Sequence, residues 1–191
     1  MNIYKEMWEI AHIFHDIKNM PEDNTNGRKY DKHGFLYDLK LQIEQLDRFF
    51  TKYVENNKDK NPNDTYYKLK TEPNIHQMAY FNLGHGFPKE LFGGHWCYIL
   101  KKFKTKYLII PSTSDDNTNI DVEEDSEFSI EVKDFINGRL TKLQVRNARC
   151  VDLQRLYQAK GYYDVVTSRQ DIELSVAKIL FSDVDIIKKE A

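Results

Sequence analysis

Cysteine is nearly absent from this chain: Cys97 and Cys150 are its only two. Two thiols are too few for a disulfide framework, and they read as reduced thiols in a cytoplasmic protein rather than as a bridge. Long apolar runs are missing too, so no segment approaches the length of a membrane span. The N-terminus, Met1-Asn-Ile-Tyr-Lys-Glu, mixes charge into its apolar positions and does not read as a targeting segment. Charge of one sign is not in excess, because 28 basic residues face 30 acidic ones for a net of −2. The whole molecule is therefore no electrostatic magnet for nucleic acid, and any such binding must use a local basic patch. There is no internal repeat. A Gly-Lys-Ser/Thr phosphate loop, a nucleophile-elbow serine, a C-x-x-C pair and an H-E-x-x-H helix are all lacking, so neither a metal nor another cofactor is expected.

At 191 residues, 40% of them hydrophobic, the chain is long enough for one domain with its own core and an appendage. Ile3, Met7, Ile10, Phe14 and Ile17 recur at helical spacing, as do Leu36, Leu39, Ile43, Leu46, Phe50 and Tyr53. Residues 1–60 thus read as an N-terminal extension of two helices with a polar loop between them. An Asn/Lys/Asp-rich linker around Pro62 follows. From residue 66 the texture changes to short strands, at 78–83, 96–100, 107–110, 128–132 and 140–145, and then to a last helix opened by Ser168-Arg-Gln-Asp171. Five strands at this spacing predict a small closed barrel or a strongly bent sheet, in an α+β, mainly β domain over residues 66–191.

Chemistry-bearing residues concentrate in the middle. Gly84-His-Gly-Phe-Pro-Lys-Glu-Leu-Phe-Gly-Gly-His95 delivers a histidine to the start of one apolar run, and Tyr107-Leu-Ile-Ile-Pro-Ser-Thr113-Ser114 ends a second run in three hydroxyls. Imidazole suits proton transfer near neutral pH, and hydroxyls can donate to phosphate oxygens. Each residue also has a plainer reading: His95 as the first residue of a strand bonding a neighbouring carbonyl, Thr113 and Ser114 as turn caps, and Glu90 as a solvated loop residue. Arg149, between Ala148 and Cys150, needs a partner, with Asp152 as a structural candidate.

In their order, three blocks resemble the PemK/MazF family of toxin endoribonucleases over roughly residues 78–181. Phe81-Asn-Leu-Gly84 followed by Glu90, Gly93, Gly94 and His95 is similar to the family's first strand and its glycine-and-glutamate loop. Ile110-Pro-Ser-Thr113-Ser114 is similar to its proline-and-hydroxyl strand end. Asn147-Ala-Arg149-Cys-Val-Asp152-Leu-Gln-Arg155-Leu156 is similar to its downstream basic block. One departure stands out: His95-Trp96 occupies the place of the family's Arg-Pro pair, and that arginine is the one usually assigned to catalysis.

The resemblance implies an SH3-like β-barrel with a C-terminal helix, a homodimer, a cognate antitoxin and metal-independent cleavage of single-stranded RNA. In that reaction the ribose 2′-OH attacks the neighbouring phosphate and the 5′-oxygen leaves. On this reading His95 transfers protons, Arg149 clamps the phosphate, Thr113 and Ser114 donate hydrogen bonds, and Glu90 orients His95 or approaches the phosphate. Lys101, Lys102 and Arg146 would supply positive charge to RNA, and Trp96 a stacking face. Replacement of the family arginine leaves a second reading open, a catalytically inactive barrel of the same fold that binds RNA or a protein. The acidic run at residues 115–127 opposes a phosphate backbone at that place.

Overall fold

In the computed structural model the residues described are 2–19, 32–61, 69, 71–84, 90–114, 126–135 and 141–181. The apolar runs at 78–83, 96–100 and 107–110 show little alternation, which is the pattern of strands covered on both faces. They form β1 (Gln77–Asn82), β2 (Gly94–Lys102) and β3 (Lys106–Ser114), three neighbouring antiparallel strands. Register pairs Met78 with Tyr98 and Tyr98 with Ile110, and it pairs Ala79 with Cys97 and Cys97 with Pro111. Successive side chains enter different cores. Met78, Tyr98 and Ile110 pack on one side with Ile130, Leu143 and Val145. Ala79, Cys97, Ile99 and Ile109 pack on the other with Val151, Leu153 and Leu156.

β3 is long enough to serve two further neighbours. Its first half pairs with β6 (Arg149–Asp152), and its end pairs with β5 (Thr141–Gln144), which in turn pairs with β4 (Glu127–Ile130). On the far side β1 pairs with β7 (Tyr162–Asp164), giving the order β4-β5-β3-β2-β1-β7 with β6 beside β3. All pairs are antiparallel. The sheet curls until its edges approach at one bridge, Val132 with Val165, helped by Lys133 N–H to the Asp164 carbonyl at 2.9 Å and Val166 N–H to the Glu131 carbonyl at 2.8 Å. Strand spacing predicts a closed barrel or a strongly bent sheet, and the described residues form an open seven-stranded sheet, not a closed barrel.

Among the described residues three α-helices complete the α+β architecture. α1 (Ile3–Asn19) and α2 (Lys32–Arg48) follow the two N-terminal periodic stripes, and α2 runs on through a π-helical segment, Phe49–Val54. They flank an apolar cleft lined by Phe14, Leu36, Leu39 and Ile43. α2 meets the sheet through polar groups: Asn82 Nδ2 donates to Gln45 Oε1 at 3.3 Å, and Gln45 Nε2 donates to the Tyr157 hydroxyl at 3.4 Å. α3 (Arg169–Leu180) is capped by Ser168, whose Oγ accepts the Asp171 N–H at 3.1 Å, and it buries Ile172 and Val176 in the first core. No helix among the described residues is long and apolar enough to cross a membrane.

Candidate functional site

The site begins where the β1–β2 loop returns to the sheet. Gly93 holds φ at +75°, a left-handed conformation that favours glycine; its N–H donates to the Gly84 carbonyl and its carbonyl accepts the Leu83 N–H, both at 2.7 Å. At Gly94 an added Cβ would lie 2.6 Å from Tyr80 Cε1, so the tyrosine ring occupies the space of a side chain. Local geometry thus uses both glycines, and His95 is the first residue of β2 to carry a side chain onto the sheet.

His95 and Arg149 converge on the same two peptide groups. Nε2 of His95 lies 2.8 Å from the Phe92 carbonyl, and Arg149 Nη2 donates to the neighbouring Leu91 carbonyl at 3.3 Å. Arg149 also donates from Nε to the Asn147 carbonyl at 3.4 Å. A carbonyl can only accept, so the bonded imidazole nitrogen carries the proton. Burial is the main force lowering the His95 pKa from its usual 6.5; the Arg149 charge adds to it, and the backbone groups of Phe92 and Ser112 oppose it. Half-buried His95 is therefore neutral at pH 7. Arg149 bonds the Asn147 and Leu91 carbonyls rather than its expected partner Asp152, whose Oδ1 accepts the Gln154 N–H at 2.8 Å, and His95 bonds a neighbouring carbonyl as its plainer reading expected.

Strand register extends the site sideways. The β2–β3 pairing ends at Cys97–Pro111; His95 and Thr113 each lie two residues beyond it, on the strand face of that pair, and Thr113 pairs with Lys142 of β5. In the next row Gln144 pairs with Glu127 of β4 on the same face. A chain of side chains runs along this row: Asn147 Nδ2 donates to Gln144 Oε1 at 3.2 Å, and Gln144 Nε2 donates to Glu127 Oε1 at 3.1 Å. Arg146 Nη2 stands 3.5 Å from the same carboxylate oxygen, while the Glu127 side chain is 2% exposed and its Oε2 has no hydrogen-bond partner among the described residues. The face that is apolar between β1, β2 and β6 thus becomes polar across β3, β5 and β4, with Arg149 at the boundary.

The other residues singled out from the sequence are spread more widely. Ser114 takes the next position of β3 after Thr113, and its backbone pairs with Thr141. Glu90 is exposed, one residue before the clamped carbonyls. Trp96 projects to the side opposite His95, where its ring lies 5.4 Å from Tyr80, 5.2 Å from Phe135 and 5.1 Å from Tyr163. Lys101 and Lys102 stand at the other end of β2, about 20 Å from His95 at some 3.3 Å per residue. Lys102 is ion-paired to Glu72 and lies over the Tyr107 ring, and Lys101 lies over Phe103. The acidic segment 115–125 and the loop residues 85–89 lie outside the described residues.

Glu127 and Gln144 were not singled out from the sequence as site residues. Their signal was the alternation of Glu127 and Ser129 with Phe128 and Ile130, and of Lys142 and Gln144 with Leu143, which marks a polar face opposite the core. No protein-family model matches the chain and no curated protein matches it, so what the site does is argued from its own residues.

Proposed function

We propose that this chain is a PemK/MazF-like, metal-independent endoribonuclease that cleaves single-stranded RNA through attack of the 2′-OH on the adjacent phosphodiester. The observation that carries this reading is the convergence of His95 and Arg149, 54 positions apart in sequence, on adjacent carbonyls of one loop end, with Thr113 and Lys142 in the neighbouring row. Arg149 supplies the charge that a pentacoordinate phosphorane requires, and Thr113 supplies a donor. A neutral imidazole accepts the 2′-OH proton, and the departing 5′-oxygen takes a proton in turn, leaving a 2′,3′-cyclic phosphate and a 5′-OH. The curled sheet, with β3 shared between two pairings, supports the finer description as an SH3-like fold. On the same reading the chain is a cytoplasmic homodimer restrained by an antitoxin protein.

A second reading is favoured by one contact. The His95 ring already bonds the Phe92 carbonyl, and histidine stands where the family has arginine, which fits an inactive barrel that binds RNA or a protein.

Incubation with a long unstructured RNA in excess chelator tests both. The enzyme reading expects 5′-OH fragments from the native chain and a loss of about two to four decades in rate for His95→Ala and Arg149→Ala. Intact RNA retained by the protein on a gel selects the binding reading; intact, unretained RNA removes both.

A further inference from the structure

The way α2 is held to the sheet is unusual. At about 100° per residue its polar side chains Asp38, Gln42 and Gln45 fall within an arc of about 60°, and Leu36, Leu39, Ile43 and Leu46 centre about 110° away from them. A helix that serves only to stabilise its domain turns its apolar stripe inward. α2 turns the polar one. Gln45 bridges Asn82 and Tyr157, while Ile43 and Leu46 are 53% and 49% exposed and no residue of the helix is buried. The two hydrogen bonds of Gln45, at 3.3 and 3.4 Å, exchange readily for water, so little is lost when α2 leaves the sheet.

The polar stripe rests on the neck of the candidate site. A Cβ added at Gly84 would lie 3.5 Å from Gln42 Oε1, and one added at Gly93 would lie 3.7 Å from Asp38 Oδ2. These two glycines bond each other, Gly93 N–H to the Gly84 carbonyl at 2.7 Å, and Gly93 directly follows Leu91 and Phe92. The Leu91 and Phe92 carbonyls engage Nη2 of Arg149 and Nε2 of His95, the two groups of the site best suited to meet a phosphate. Both are therefore occupied by the protein's own backbone, in a segment whose neck lies against α2. We infer that α2 locks the site in cis: docked, it holds Leu91–Gly93 against Arg149 and His95, and undocked, it releases both for a phosphate-bearing ligand. Such a ligand binds the undocked chain better, and by linkage it favours departure of α2 in turn.

The inference rests on His95 and Arg149 as the working pair of the site but not on RNA cleavage, and its test uses no RNA. Amide exchange and the His95 imidazole NMR signals are followed in the full native chain and in the double variant Gln42→Ala, Gln45→Ala, with inorganic pyrophosphate as the probe. Loss of the polar stripe is expected to speed exchange at the Leu83 and Gly93 amides at least tenfold and to leave Ile99 unchanged. Pyrophosphate binding, read at His95, is expected to tighten at least fivefold. Tyr157→Phe removes only the hydroxyl that Gln45 meets; it moves both readouts the same way by a smaller factor and serves should the double variant fail to fold. Native exchange rates at Leu83 and Gly93 in both variants, exchange that speeds equally at Ile99 in both, or faster exchange with no gain in pyrophosphate affinity overturns the inference, and each leaves the nuclease reading to its own test.

Discussion

Arg149 and His95 act first as structural donors, and that sets how each responds to change. With Arg149→Met the nearby positive charge that disfavours imidazolium is gone, so the His95 pKa rises, as a proton NMR titration of the imidazole would read. The same depressed pKa ties stability to pH. Below about pH 6.5 the unfolded chain takes up a proton that folded His95 refuses, so stability is full above that value and is lost as pH falls through it. His76, lowered mainly by burial, acts in the same direction. The difference in thermal midpoint between native protein and His95→Gln is therefore expected to shrink from pH 7.5 to pH 5.5, and a constant difference would refute the coupling. The two thiols differ as sharply. Cys97 is buried, with its pKa pushed up by burial, whereas Cys150 is exposed. A maleimide should label one thiol per native chain and two after denaturation, counted by intact mass.

At the scale of elements, the turn into β2 is the least forgiving place. Gly94→Ala sets a methyl against the Tyr80 ring, which also meets Trp96 and Tyr157 edge-on and has Lys160 Nζ 4.4 Å from its centroid. The cost expected is about 1–3 kcal/mol, read as a lower denaturant midpoint with an unchanged slope. Elements with their own periodicity were legible in the sequence: the five strand runs, both N-terminal helices, and α3 with its Ser168–Asp171 cap. β6 and β7 were not. Arg149–Asp152 alternates around a single buried residue, Val151, and Tyr162–Asp164 has three residues, so both exist because β3 and β1 offer unpaired edges. The site was legible in the same partial way. His95, Thr113 and Arg149 stood out by residue type, but that they share a face depends on register, which becomes visible only when strands pair. The same holds for the Glu127–Gln144 row.

At the scale of the molecule, the basic hairpin and the candidate site lie at opposite ends of β2. Lys101→Ala is therefore expected to leave any cleavage rate within about twofold while Arg149→Ala costs about two to four decades, since Lys101 stands about 20 Å from His95, more than two Debye lengths at physiological salt. β1, β2 and β3 give alternate side chains to two cores, so neither core can dissolve while the other keeps its walls. Heat should then melt both in one step, with Trp96 fluorescence and amide-exchange protection around Ile99 lost at the same temperature. The same sharing limits how the chain can be edited. Inserting one residue between Cys97 and Ile99 would exchange inward and outward positions for everything beyond it, sending Tyr98-type bulk into the space shaped for Cys97, whereas the bulge at Leu100 already absorbs such an offset in the β2–β3 pairing. Length changes in this protein belong in its loops or at that bulge, and any lineage that carries the fold should vary there first.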